Sequence, residues 1–320
     1  MYTVRPIFTH ELHKFAAIST PAQRQSSVLA YLEQMFEKGA MRLEWCFLLE
    51  QEGIGIGRVA FWTLPGIDSP SDIVLLDLPW DDENITQLAE LLWQHLLLTC
   101  REKGVTHLSY VLDSPAMTPH WQEYHEERKY VLSKLGFQLQ RETSRFEWNS
   151  EHETTPPIPA QTLDAGIVYR SLTQVGEDAF LDAIMRGSSS TLDRLIAKER
   201  DDHGPLAQAR MIFQDLQSMS YDPDWWELAY APDGQVIGFI LPTKSPTFAT
   251  IGYIGVLPEY RGRGYVDQLL NRGISTLLTA GETSIRADTD LANHPMAKAF
   301  LRAGFQLFAQ RSEYRTALLR

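Results

Sequence analysis

The feature that most restricts how this chain can fold is the run Val256-Leu257-Pro258-Glu259-Tyr260-Arg261-Gly262-Arg263-Gly264, which lies between two patterns of different period. Before it, residues 248–256 read as an apolar strand; after it, residues 265–278 carry apolar positions at helical spacing. A strand thus delivers a loop with two glycines to the start of a helix. Glycine lets a backbone curl closely around a ligand without a Cβ clash. The curled N–H groups and the helix N-terminus present partial positive charge suited to a pyrophosphate, and Arg261 and Arg263 can add charge-assisted contacts. The plain alternative is a surface turn rich in arginine and glycine. The strand before it and the helix after it favour the anion site.

Around this loop the second half of the chain shows an ordered series of elements. Residues 167–170 read as a short strand, followed by helical patterns over 175–185, 191–198 and 205–219. Strand patterns at 225–230 and 235–240 flank Pro232-Asp233-Gly234, a hairpin signal. Residues 285–289 form another strand pattern, Asn293-His294-Pro295 opens a helix running to Ala303, Gly304 stops it, and a hairpin over 305–318 closes the series. The first half repeats this order. It has a strand at 3–6, helical segments to about Lys38, strands at 45–50 and 57–63, a strand at 73–78, a helix at 85–100 and a strand at 107–112. A helix then ends in Gly136-Phe137, as the later one ends in Gly304-Phe305. Two diverged copies of one α/β unit are expected: residues 1–150 and 166–320, joined by a polar, proline-rich linker over 151–165.

Composition narrows the function class. Hydrophobic residues make up 44% and charged residues 22%, an ordinary globular balance. Cys46 and Cys100 lie far apart with no CxxC and no clustered histidines, which argues against a zinc site and a disulfide framework; no metal is expected. The start lacks a signal-peptide pattern, and the most apolar stretch, 88–100, is broken by Glu90, Gln94 and His95 and falls short of the roughly 20 residues of a membrane span. A cytoplasmic protein with no membrane partner is expected. The net charge of −12 repels a phosphate backbone, so no nucleic acid is expected, and it suits a cationic substrate such as an amine.

The run from Val256 to Val266 resembles the acetyl-CoA signature of the GNAT superfamily of N-acetyltransferases, V-x-P-x-x-[RQ]-G-x-G-x-[GA]. The block from Asn293 to Phe305 is similar to the family's next segment, which ends in Gly-Phe. The likeness covers residues 166–320 well and 1–150 in outline, and the tandem layout resembles mycothiol synthase and related two-copy acyltransferases. It implies an α/β (α+β) fold of two tandem GNAT-like domains, each a mixed, mostly antiparallel sheet flanked by helices. It also implies acetyl transfer from acetyl-CoA to an amine of a small molecule or peptide, by a monomer or weak homodimer. The backbone of Val256 would pair with the pantetheine arm. The amides of Arg261, Gly262, Arg263, Gly264, Tyr265 and Val266 would hold the pyrophosphate, and Asn293 would contact the cofactor near its thiol end or cap a helix, roles that are compatible.

Two departures matter. Val266 replaces the small residue usual at the last motif position, and Phe300 stands four residues before Gly304, where many members carry a tyrosine that protonates the leaving thiolate. Direct transfer needs a neutral amine and therefore a base. Tyr253, Asp288 and Asp290 are the candidates, with Glu227 a further one; Tyr253 can equally be core, Glu227 solvent-facing and Asp290 an organiser of the turn before Asn293. Glu259 reads as a solvated loop residue and His294 as an exposed first-turn histidine.

In the first half the equivalent of the loop reads Leu78-Pro79-Trp80-Asp81-Asp82-Glu83-Asn84. It has no glycine and three consecutive acids, so this copy is expected not to bind CoA. Its role is then structural, with Trp80, Trp121, Tyr124 and His125 available to wall an acceptor cleft. The alternative function is a CoA-binding sensor or scaffold with little turnover.

Overall fold

The computed structural model describes residues 1–151, 166–245 and 248–318. The first half runs β1 (Tyr2–Pro6), α1 (Leu12–Ala17), α2 (Ala22–Glu37), β2 (Cys46–Gln51), β3 (Ile54–Trp62), β4 (Asp72–Asp77), α3 (Ile85–Glu102), β5 (His107–Ser114), α4 (His125–Lys134) and β6 (Gln138–Asn149). The second runs β7 (Val168–Ser171), α5 (Leu172–Val175), α6 (Glu177–Gly187), α7 (Arg194–His203), α8 (Pro205–Gln217), β8 (Glu227–Tyr230), β9 (Val236–Lys244), β10 (Ala249–Val256), α9 (Tyr265–Thr279), β11 (Ser284–Asp290), α10 (His294–Arg302) and β12 (Gln306–Ala317). The matched order expected of the two halves is present. Among the described residues no helix is long and apolar enough to cross a membrane, and no group of three or more His, Cys, Asp or Glu side chains could hold a metal.

The compact units are not consecutive halves. Residues Met1–Glu142 with Gln310–Arg320 form one, and Thr143–Ala309 the other. In the first unit the strand order is β1-β2-β3-β4-β5-β12, and in the second β6-β11-β10-β9-β8-β7. Each half therefore gives up its last strand. β12 pairs antiparallel with β5 from Gln310↔Ser114 to Ala317↔His107, and β6 pairs antiparallel with β11 from Asp290↔Thr143 to Ser284↔Asn149. This displaces the expected cut, and it replaces the terminal hairpin expected over 305–318 with one long strand. Apart from Glu151, the expected linker lies outside the described residues.

In each unit the strands pack core side chains on both faces. In the second unit Phe239, Leu241 and Tyr253 face α6 and α8 with Phe180 and Phe213, whereas Ile240, Ile251 and Ile285 face α9 and α10 with Leu269, Ile274 and Phe300. The helix α9 follows from its spacing: Leu269, Leu270, Ile274 and Leu277 form a buried stripe worth roughly 1.5–3 kcal/mol for each large side chain. It ends where Gly281 adopts φ +88°.

The sheet opens where strand direction changes. β10 and β11 are parallel, and their pairing is confined to Ala249↔Ile285 and Thr250↔Arg286, although β10 continues to Val256 and β11 to Asp290. A bulge begins the divergence: Ile251 faces Pro242 and Tyr253 faces Leu241, which leaves Gly252 extra. A Cβ on Gly252 would stand 2.7 Å from Thr243 Oγ1 and 3.0 Å from the Leu241 carbonyl oxygen, so the bulge needs glycine. The first unit opens similarly. β4 and β5 pair only at Asp72↔Ser109, and beyond that pair a bulge between Val74 and Asp77 carries Leu75 at φ +50°.

Candidate functional site

The glycine loop lies at the open end of β10. Leu257 is buried and its N–H bonds the Ile237 carbonyl, so the strand's end is pinned to β9. A single turn, Pro258–Tyr260, then leads into the loop. Gly262 and Gly264 adopt φ +76° and +82°, and an added Cβ would meet nothing within 4 Å at either position. Their backbone conformation, rather than crowding, demands glycine. Gly264 is the residue before α9, whose first-turn N–H groups have no acceptor inside the helix. The loop thus forms an open cradle of main-chain donors on a helix N-terminus, which fits a pyrophosphate.

The two arginines separate in role. Arg261 turns away from the cradle: Nη2 donates to the carbonyl oxygens of Gly187 (2.8 Å) and Ser189 (2.9 Å), and Nε donates to the Val256 carbonyl (3.1 Å). Its own N–H closes the preceding turn on Pro258. Arg261 therefore ties the loop to the end of α6, and the donor set runs from Gly262 to Val266 rather than starting at Arg261. Arg263 is exposed, lies over the Tyr260 ring at 5.7 Å, and has no carboxylate partner among the described residues. Asp267, in the first turn of α9, is neutralised by Arg302 Nη2 at 2.7 Å. Glu259 is exposed, and a hydrogen bond from its own backbone N–H, helped by Arg186 at 2.7 Å, holds its carboxyl below the usual range.

The acid–base candidates sit in different environments. Tyr253, on the bulged strand, is half-buried with its ring 5.2 Å from Phe239. Asp288 is exposed on β11, 3.5 Å from Arg145 Nε. Asp290 is 1% exposed and accepts from the N–H groups of Ala292 (2.8 Å) and Arg194 (3.1 Å) and from Arg194 Nε (3.2 Å). Burial opposes its ionisation, but these donors outweigh it and hold the carboxyl below its ordinary value. Asp290 thus orders the turn that begins α10. There Asn293 caps the helix, its Oδ1 accepting from Met296 N–H at 3.3 Å, while His294 is exposed. Glu227 is not solvent-facing: it is 6% exposed and clamped by Arg272 at 2.6 and 2.7 Å. Phe300 is buried between Phe146 and Phe305, each ring centroid 5.2 Å away.

The matching opening in the first unit is filled. Asp77, at the end of β4, accepts from Arg58 Nε at 2.8 Å and Arg128 Nη2 at 2.6 Å, all three side chains being buried. Arg128 also donates to the Leu76 carbonyl on β4 and to the Tyr110 hydroxyl on β5. Gln122 accepts from Asp113 N–H (3.1 Å) and donates to the Val111 carbonyl (2.6 Å), so its carboxamide takes the place of a neighbouring strand along β5. His125 bonds the Asp113 carbonyl at 2.8 Å. These plugging residues carry no sequence motif, although an arginine and an aspartate predicted to fall within core elements are a signal for a buried pair.

Comparison with known proteins adds the following. Residues 193–305 match the model of the Acetyltransferase (GNAT) family. Among solved structures, a GCN5-related N-acetyltransferase from Sphaerobacter thermophilus superposes over 100% of this chain and 96% of its own, with TM-score 0.58 and 14% identity. A functionally unknown conserved protein from Staphylococcus epidermidis covers 81% of this chain and 90% of its own, with TM-score 0.50 and 14% identity. A tandem GNAT protein from the clavulanic acid biosynthesis pathway covers 100% and 99%, with TM-score 0.49 and 14% identity. At such identity the likeness is one of fold, and with the Sphaerobacter protein it extends over both units. No curated protein sequence matches the chain.

Proposed function

We propose that this chain is a member of the GNAT superfamily, whose family model its residues 193–305 match, and that it transfers an acetyl group from acetyl-CoA to an amine of a small molecule or peptide. The observation that carries this reading is the conjunction of a strand split from its parallel neighbour after Thr250 and a two-glycine loop on the N-terminus of α9. The N–H groups of Gly262, Arg263, Gly264, Tyr265 and Val266 would hold the pyrophosphate, with Arg263 adding charge. The open edge of β10 towards Val256 would offer main-chain partners to the pantetheine arm, and Asn293 would reach the thiol end while it caps α10. When bound, acetyl-CoA supplies an activated acyl group.

This chain's own residues prepare the acceptor. An ammonium must lose its proton before it attacks. Tyr253 and Asp288 are the groups assigned to take it, since Asp290 is committed to Arg194 and the turn at Ala292. Phe300 has no proton to give, so the leaving thiolate would be met by water or another group. The second domain is the cofactor-binding one and the first a degenerate copy, the protein acting in the cytoplasm as a monomer or weak homodimer.

A second reading, a CoA-binding sensor with little turnover, is favoured by Phe300 and its aromatic packing. One experiment separates the two: acetyl-CoA binding by calorimetry, followed by CoA release with a panel of polyamines, aminoglycosides, amino acids and peptides. Binding with turnover on at least one amine is expected, with binding lost in Gly264→Asp. Tight binding with no turnover on the panel selects the sensor, and retained binding in Gly264→Asp overturns the site.

A further inference from the structure

In the second unit the segment between α6 and α7 bridges the opening between β10 and β11. Arg261 holds it on the β10 side. Its Nη2 and Nη1 donate to the carbonyl oxygens of Gly187, Ser189 and Ser190, while Nε stays on the Val256 carbonyl at the end of that strand. Asp290 holds it on the β11 side, accepting from the Arg194 N–H at 3.1 Å and from Arg194 Nε at 3.2 Å. The guanidinium of Arg194 is thereby aimed by a carboxylate that is itself 1% exposed. Only Nε is spent on that carboxylate. The Nη1 and Nη2 atoms have no hydrogen-bond partner among the described residues, and the side chain is 56% exposed. The acid–base candidates lie on the same face of the sheet. Ile285 and Ala287 enter the core under α9 and α10, so Asp288 and Asp290 point to the opposite face, where Tyr253 packs against the core of α6 and α8. Asp288 keeps 37% of its side chain exposed there, 3.5 Å from Arg145 Nε.

We propose that Arg194 binds a carboxylate of the acceptor, so that the amine acetylated belongs to an amino acid or to another small amine that carries a carboxylate. This rests on the acetyl-transfer reading of the same site and names its substrate class. The Nη1–Nη2 edge of a guanidinium held through Nε is the edge that makes two parallel bonds to a carboxylate. A carboxylate seated on it directs the amine along β11 towards Asp288 and Tyr253. Asp288 and Asp290 are two residues apart on one face, about 7 Å along the strand, a spacing that an amino acid bridges together with the guanidinium. One free guanidinium edge beside two carboxylates suits a monoanion better than a phosphate dianion. An acetyl donor has no anionic group at its reacting end, so the carboxylate arrives with the acceptor.

The test is CoA release by the full chain with acetyl-CoA and matched acceptor pairs: lysine with cadaverine, phenylalanine with phenethylamine, and glycine with methylamine. Within the pair turned over fastest, kcat/KM is expected to favour the amino acid roughly 10- to 100-fold, the worth of charged hydrogen bonds. In Arg194→Gln, which keeps the main-chain N–H on Asp290, that ratio is expected to fall to about one, and Arg194→Lys to restore part of it. If Arg194 serves only to neutralise Asp290, both members of the pair slow together and the ratio survives, which overturns the proposal. A ratio near one in the natural chain overturns it and leaves acetyl transfer standing. Preference for phosphoethanolamine over every amino acid also overturns it, as does an Arg194 dependence seen only with succinyl-CoA and plain amines, which assigns the carboxylate to the donor. Acetyl-CoA binding with no turnover of either member of any pair is the separate result that removes the transfer reading, and this inference with it.

Discussion

Arg128 Nη2 stands 2.6 Å from Asp77 Oδ1, and both side chains are buried where β4 and β5 part. Arg58 holds the other carboxylate oxygen at 2.8 Å. The opening that a parallel split creates is thereby closed from within, main-chain acceptors included. Removing one cation leaves Asp77 with a single partner and the Leu76 carbonyl without its donor. Arg128→Ala is expected to destabilise the first unit by about 3 kcal/mol, read as a lower urea midpoint by tryptophan fluorescence. A change below about 0.5 kcal/mol, the range of ordinary surface substitutions, would show that the pair does not seal the split.

Arg261 and Arg263 should respond differently to the same substitution. Arg261 donates to main-chain carbonyls of Gly187, Ser189 and Val256, so Arg261→Ala strips several acceptors and frees the loop from α6. A loss of about 1–2 kcal/mol in stability is expected, together with weaker acetyl-CoA binding. Among the described residues Arg263 makes only its contact over Tyr260, so Arg263→Ala is expected to leave the melting temperature unchanged. It should weaken acetyl-CoA binding several-fold at low salt, and less at high salt as screening grows. Thermal melts paired with titrations at two ionic strengths check both. Equal melting temperatures for the two variants would contradict the division of labour.

His120 gives the first unit an acid sensitivity. Its Nε2 is buried without a hydrogen-bond partner among the described residues, its ring meets Tyr31 edge-on at 5.1 Å, and burial pushes its pKa down from 6.5 to about 4. Nearby Asp113 opposes that shift and Arg311 reinforces it. A base whose folded pKa is depressed binds its proton first in the unfolded chain. Its contribution to stability is therefore whole above pH 6.5 and is lost as pH falls from 6.5 towards 4, by up to about 3 kcal/mol over that window. Urea midpoints measured across this range should fall more steeply for the natural chain than for His120→Gln. Parallel slopes would rule out the histidine as the source.

Much of this architecture is written in local sequence. The glycine loop, α9 and the hairpin at Gly234 were legible because φ-positive glycines and helical spacing act over a few residues. The exchange of β6 and β12 was not legible, since the choice of partner for a last strand depends on pairing with β11 or β5 far away in the chain. The roles of Arg261 and Arg263 could not be told apart for the same reason. Two arginines either side of a glycine look alike until the carbonyls at the end of α6, some seventy residues earlier, claim one of them. The ion pairs that engage Asp290 and Glu227 were not legible, because their partners, Arg194 and Arg272, lie on other elements.

The base assignment can be decided with substitutions that keep packing constant. Tyr253→Phe preserves the ring contact with Phe239 at 5.2 Å and removes only the hydroxyl. If Tyr253 takes the proton as its phenolate, kcat is expected to fall about 100-fold, within the range usual for a general base, with an unchanged melting temperature. Asp288→Asn tests the exposed carboxylate in the same way. Asp290→Asn should behave otherwise: the buried carboxylate holds Arg194 and the turn at Ala292, so stability falls first and activity follows it. The alkaline and acid limbs of the kcat/KM profile identify the base, because only its replacement shifts the acid limb. An unshifted profile in both Tyr253→Phe and Asp288→Asn would remove both residues from the mechanism.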